Sequence, residues 1–281
     1  MHPDSSEGLG RMRAKKSLGQ NFLVDANIQR KIIDALACSS TDTVLEIGPG
    51  HGALTRHLVG RVGRLVLVEL DDALVEELER EWGDRTEVEL HHRDFLELDL
   101  GSVVEDVTEL IVVGNIPYNI TAPVIFKLLE RPRPREILLM VQREVGDRLL
   151  AEPGTSEYGA MTVGVRSVAT VERVFSVPRG AFRPIPRVDS SVVRIRPIIP
   201  PPISAAQERS LRTLTRATFQ WRRKQLQKIL RDHGDLRLDP HQVDGIASET
   251  GWDLTRRPET FAPEEFIRLS SLVKPHPKPS A

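Results

Sequence analysis

Short apolar runs alternate with amphipathic stretches along the first two-thirds of the chain. Val44–Ile47, Leu65–Glu69, Val88–Leu90, Leu110–Val113 and Ile137–Val141 have the length and composition of strands. Between them lie helical patterns: Ile28, Ile32, Ile33 and Leu36 behind Asp25, the segment Ala53–Val59, then Leu74, Val75 and Leu78 behind Asp71, and Val124, Ile125, Leu128 and Leu129 after Thr121. Asp25 and Asp71 are residues of the type that caps a helix start. Such alternation predicts an α/β fold, a mostly parallel sheet with helices on both faces. Val171–Val177 and Val192–Ile195 are two further β-rich runs. Pro197 and Pro200–Pro202 then make a stiff break. Beyond it the pattern is helical only. Ser204 is placed to cap a helix carrying Leu211 and Leu214, a second carries Leu226, Ile229 and Leu230, and two more follow Pro240 and Pro263. The expected division is a flexible basic arm over 1–16, an α/β domain over 17–198, a smaller all-helical domain over 203–273 and a disordered tail over 274–281.

Composition narrows the class. The chain of 281 residues has one cysteine, Cys38, which excludes a disulfide framework and suggests a reducing compartment. No apolar run approaches the ~20 residues of a membrane span. The polar N-terminus lacks the apolar stretch of a signal peptide. The expectation is a cytoplasmic protein without membrane attachment. Net charge is −1, yet charge is strongly segregated. Glu69–Glu109 holds 16 acidic and 3 basic residues, whereas Arg173–Arg196 holds 6 basic and 1 acidic, and Ala205–Arg231 holds 8 and 1. Segregated charge can bind a polyanion even where the total cancels.

Candidate chemistry clusters after the predicted strands, where doubly wound sheets bind ligands. Glu46-Ile47-Gly48-Pro49-Gly50-His51-Gly52 follows the first strand. Glycines such as Gly48 and Gly50 let a backbone turn tightly and approach a ligand. Glu69 ends the next strand, 21 residues after Gly48, where a carboxylate can accept both hydroxyl hydrogens of a ribose. The Gly-x-Gly-x-Gly spacing favours S-adenosylmethionine over a dinucleotide. Asp94 follows the third strand and can accept from an adenine amino group. Asn115-Ile116-Pro117-Tyr118 ends the fourth. The Asn115 side-chain oxygen and the Ile116 carbonyl can accept the two hydrogens of an exocyclic amine, aiming its lone pair at a methyl group. Pro117 fixes the turn, and Tyr118 offers a ring for a flipped base. Phe182 lies in a proline-bracketed loop between basic residues, placed to sandwich that base, with Arg183 and Arg187 beside it. Phe219-Gln220-Trp221-Arg222-Arg223-Lys224 reads as a basic helix start suited to phosphate contacts. No metal-ligand cluster stands out. A nicotinamide-dependent oxidoreductase would leave Asn115–Tyr118 unexplained, and a catalytically silent RNA-binding assembly factor is the other rival.

These stretches, with GQNFLVD at Gly19–Asp25 and RPETFAPEEF at Arg257–Phe266, resemble the KsgA-type small-subunit ribosomal RNA adenine dimethyltransferases. The likeness runs from about Lys15 to Leu272. The Asn-Ile-Pro-Tyr core is shared with the erythromycin-resistance 23S rRNA methyltransferases, the close alternative. The resemblance implies a Rossmann-like methyltransferase sheet and S-adenosylmethionine contacts at Asn21, Leu23, Gly48, Glu69, Asp94 and Asn115. It implies dimethylation of the N6 amines of two adjacent adenosines in the 3′-terminal hairpin of 16S rRNA, within a pre-30S particle, by an enzyme taken to act as a monomer. Asn115, Ile116, Pro117, Tyr118 and Phe182 would serve catalysis, and Arg183, Arg187, Arg222, Arg223 and Lys224 would hold RNA.

Overall fold

A computed structural model of the chain describes residues 20–273. The arm expected over 1–16 and the tail expected over 274–281 lie outside the described residues. In chain order the elements are β1 (Phe22–Leu23), α1 (Ala26–Ala35), β2 (Thr43–Ile47), α2 (Thr55–Leu58), β3 (Arg64–Glu69), α3 (Asp72–Trp82), β4 (Val88–His92), β5 (Ile111–Asn115), α4 (Thr121–Leu128), β6 (Glu136–Gln142) and α5 (Arg143–Leu150). They continue with α6 (Ala160–Arg166), β7 (Ala169–Val177), β8 (Phe182–Arg183), β9 (Ser190–Pro197), α7 (Ala205–Gln220), α8 (Leu226–Asp232), α9 (Pro240–Thr250) and α10 (Pro263–Leu272).

Seven strands form one sheet in the order β4-β3-β2-β5-β6-β9-β7. The pairs β2–β3, β2–β5, β3–β4 and β5–β6 are parallel. β2 and β5 are almost wholly buried, as continuous apolar strands in the middle of a parallel sheet must be. At the far edge the chain doubles back: Ile198 N–H donates to the Val168 carbonyl, and Thr170 Oγ1 to the Arg196 carbonyl, an antiparallel register. Local signals are met where they were expected. Asp25 Oδ1 accepts from the Asn27 and Ile28 N–H groups, Asp71 Oδ1 from Ala73, and Ser204 forms a reciprocal cap with Gln207.

Three features differ from the sequence pattern. β1 and β8 form a separate two-stranded sheet that pairs Phe22 with Arg183 and Leu23 with Phe182. Two residues per strand carry no readable alternation, so only the tertiary fold reveals them. α5 and α6 lie where the pattern gave no helix. The division into compact units also falls elsewhere. One unit comprises the described chain up to Arg143 together with Arg173–Arg194, the other Glu144–Glu172 together with Ile195 onward. The expected boundary at the proline run would leave 144–172 with the sheet. Packing groups it with the C-terminal helices instead: the Tyr158 hydroxyl donates to the Phe261 carbonyl at 2.7 Å, and the Tyr158 ring meets Phe219 edge-on. Gly154 N–H reaches the Glu259 carbonyl at 2.6 Å.

Candidate active site

The carboxyl ends of β2, β3 and β5, together with β1, enclose a cavity of about 410 Å³ within the first unit. That lies within the ~300–1,000 Å³ usual for small-molecule and cofactor sites. The wall includes Asn21, Leu23, Gly48, Gly50, Glu69, Asp94, Asn115, Ile116, Pro117 and Tyr118. Ten of the expected site residues are therefore brought together.

The turn after β2 makes the approach possible. Gly48, Gly50 and Gly52 all have positive φ, a backbone region costly for side chains. A Cβ on Gly48 would meet no atom within 4 Å, so that backbone fronts open space. A Cβ on Gly52 would come within 1.9 Å of the Trp82 ring, so Gly52 serves packing. Glu69 locks the turn to the end of β3. Its Oε2 accepts from Gly50 N–H at 3.1 Å, and its Oε1 from Leu70 and Asp71 N–H at 2.8 and 3.0 Å. Burial raises its pKa, and those three backbone donors hold it back. Glu46 lies deeper, 1% exposed, with Oε2 accepting from the Thr55 hydroxyl at 2.7 Å. Burial, reinforced by the Glu69 charge and opposed by Thr55, pushes its pKa up to about 8. Asp94 caps a short 3₁₀ turn, with Oδ1 accepting from Leu96 N–H at 2.8 Å. Among the described residues Oδ2 of the same carboxylate accepts no hydrogen bond.

At the end of β5 the Asn115 side chain donates its Nδ2 to the Asn21 carbonyl at 2.9 Å. That bond takes one of the two Nδ2 hydrogens and orients the amide, and among the described residues Oδ1 accepts no hydrogen bond. Ile116 is buried, with its N–H on the Met140 carbonyl. The Tyr118 hydroxyl lies 3.1 Å from Ser190 Oγ, which fixes a half-buried ring, and burial raises the phenol pKa.

Two expectations are corrected. Phe182 is not presented to the cavity. Its ring is 0% exposed and belongs to the core with Leu23, Ile32 and Val192, because pairing in β8 turns it inward. It cannot sandwich a base from there. The basic segment at 221–224 is not a helix start: α7 ends at Gln220, and Trp221–Lys224 is the bend before α8. Within it Arg222 is committed to the fold. Its guanidinium donates to the Ser156 and Thr155 carbonyls at 2.7 and 2.9 Å and lies 3.7 Å from Glu259. Arg223 and Lys224 are exposed, as is Arg187. Arg183 is exposed and turned back onto the Gly180 and Phe182 carbonyls.

Phe22, His51 and Glu46 also line the cavity, without having been assigned roles from sequence. The Phe22 and His51 rings meet at 4.5 Å, and His51 Nδ1 lies 2.9 Å from the Glu77 carboxylate. The position of Glu46 directly before the glycine turn was its only signal. Nothing in the local sequence marks Ser190 as the partner of Tyr118.

A glycine turn opening onto free space, a backbone-held carboxylate one strand over, and an amide acceptor at the next strand end fit an adenosine cofactor with a charged, compact far end. These features define an S-adenosylmethionine-dependent methyltransferase. The chain belongs to the ribosomal RNA adenine dimethylase family, whose model matches residues 11–267. It is 40% identical over 267 residues to ribosomal RNA small subunit methyltransferase A of Geobacillus thermodenitrificans, covering 93% of this chain and 91% of that one. The protein of the same name from Bacillus cytotoxicus is 39% identical over 268 residues, covering 93% and 92%. Among solved structures, a dimethyladenosine transferase from Plasmodium falciparum superposes with a TM-score of 0.73 at 26% identity, over 88% of this chain and 95% of that one. The 23S rRNA methyltransferase ErmE gives 0.68 at 26% identity, over 90% and 99%. The substrate class is ribosomal RNA and the methyl donor is S-adenosylmethionine. No described helix is long and apolar enough to cross a membrane.

Proposed function

We propose that the protein dimethylates the N6 amines of two adjacent adenosines in the 3′-terminal hairpin of 16S rRNA, acting in the cytoplasm as a monomer on a pre-30S particle. The observation that carries the chemistry is the anchored Asn115 amide: its bond to the Asn21 carbonyl orients the group, and its oxygen is the atom able to accept an amine hydrogen. The choice of subunit draws support from relatives named for the small subunit, 39–40% identical over more than nine-tenths of the chain.

When bound, S-adenosylmethionine supplies an electrophilic methyl group. The protein's own residues do the rest. Glu69 accepts from the ribose hydroxyls, the second oxygen of Asp94 accepts from the adenine amino group, and Gly48 and Gly50 let the backbone pass close. Asn21 and Leu23 close over the ligand from the N-terminal side. Asn115 Oδ1 and the Ile116 carbonyl accept the two N–H groups of the target amine, which directs its lone pair and stabilises the positive charge growing on nitrogen. Pro117 holds that carbonyl in place, and Tyr118 supplies the stacking face for the extruded base. The methylated ammonium releases its proton to solvent, so no strong base is needed. Arg183, Arg187, Arg223 and Lys224 contact phosphates.

Labelled methyl transfer to 30S and 50S precursors in parallel tests the reading. Label is expected in dimethyladenosine of the 30S precursor. Label confined to 50S precursors would transfer the protein to the 23S-modifying branch.

A further inference from the structure

Glu46 has no part in the mechanism above, yet it sits at the wall of the cavity. It is the fourth residue of β2, and its side chain is almost wholly buried. One oxygen takes the Thr55 hydroxyl, itself buried at the start of α2. Among the described residues the other oxygen accepts no hydrogen bond, and no cation pairs with the carboxyl. Glu69, from the end of β3, is a second carboxylate on the same cavity. Arg56, from α2, donates to the Gly52 and His51 carbonyls at 3.0 and 2.9 Å. His51, from the glycine turn, faces Glu77. Arg93 and Asp94 line the cavity from the segment after β4, and Tyr118 from beyond β5.

A buried carboxyl without a cation is costly unless it is neutral, and two carboxyls on one enclosed space resist ionising together. A ligand that brings positive charge reverses that balance. S-adenosylmethionine carries both an ammonium and a sulfonium centre.

We propose that Glu46 is a proton-linked positioning residue: it is protonated in the free cavity and ionises, releasing its proton to solvent, when the cationic cofactor binds. Burial and the neighbouring Glu69 keep the free carboxyl protonated up to about pH 8. Cofactor affinity therefore rises with pH through the neutral range, because each binding event expels a proton. The device selects for a charged methyl donor. It rests on the cavity being the S-adenosylmethionine site and is independent of which ribosomal RNA is methylated.

Calorimetric titration of S-adenosylmethionine into the full chain, in buffers of different protonation enthalpy, reads the proton count directly. Near neutral pH the wild type is expected to release close to one proton per cofactor, and its affinity to rise by up to about tenfold per pH unit below the Glu46 pKa. E46Q keeps an acceptor for Thr55 and is expected to release none, with affinity flat over the same range. Thr55→Val removes the bond that favours the ionised form, so its release persists to higher pH than in wild type. A wild type that releases no proton overturns the proposal. So does undiminished release in a folded E46Q, or an unmoved profile in Thr55→Val. Absence of any S-adenosylmethionine binding by the wild type would instead sink the assignment of the cavity itself.

Discussion

The strand-end cavity and the segments expected to grip RNA were both marked by motifs, and the structure treats them in opposite ways. Around the cavity, Asn115 and Asp94 each keep an oxygen that no described residue uses. Asn115 is anchored by one N–H on the Asn21 carbonyl, and Asp94 caps a turn with its other oxygen. In the basic segments the most distinctive residues are consumed by the fold. Phe182 is core, and Arg222 ties the bend before α8 to the segment between α5 and α6 through the Thr155 and Ser156 carbonyls. An aromatic beside arginines is a compositional hint, whereas a residue at the carboxyl end of a parallel strand has its place dictated by topology. Position in a regular element predicts function better than residue type in a loop.

The sharpest way to break this contrast is Phe182→Ala. A fully buried Phe should cost ~3–5 kcal/mol of stability on truncation. Chemical denaturation checks this; wild-type stability combined with weak RNA binding would return Phe182 to the substrate. Next in size is Glu69→Ala. Loss of the ribose acceptor should weaken S-adenosylmethionine binding by ~1.5–3 kcal/mol, the range for hydrogen bonds to a charged group. Calorimetry on a folded mutant decides, and unchanged affinity would remove Glu69 from ligand binding and leave it as a turn lock. The smallest effect separates neighbours within one bend. Arg222→Ala should lower the stability of the helical unit by about 1 kcal/mol, because water competes for its two exposed hydrogen bonds to carbonyls, with the salt dependence of rRNA binding unchanged. Arg223→Ala and Lys224→Ala should each reduce the salt slope by about one unit. Filter binding across a salt series measures both, and a shallower slope for Arg222→Ala would show that it meets phosphate after all.

How legible each part was follows from how local its cause is. The five parallel strands and the caps at Asp25, Asp71 and Ser204 answer to apolar runs and short-range hydrogen bonding, which a sequence displays. The glycine turn, Glu69 and Asn115 were legible because each ends a strand. The β1–β8 pairing was not, since Phe22 and Arg183 are far apart in sequence and only two residues of each strand pair. Phe182 was misread for the same reason: its burial depends on that pairing. The grouping of 144–172 with the C-terminal helices depends on Tyr158 finding Phe261 across 103 positions, and the proline run suggested a boundary only because it is a local signal.

The central claim is that Asn115, held by its nitrogen, presents its oxygen to the amine being methylated. Single-turnover methylation of a 30S precursor by Asn115→Ala, with cofactor affinity measured on the same preparation, tests it most directly. The rate is expected to fall by ~10²-fold or more, the scale for losing one preorganised hydrogen bond to developing charge. Because Asn115 also lines the cofactor cavity, a modest loss of cofactor affinity is compatible with this role. A rate at saturating cofactor within a few-fold of wild type would contradict the role assigned to Asn115.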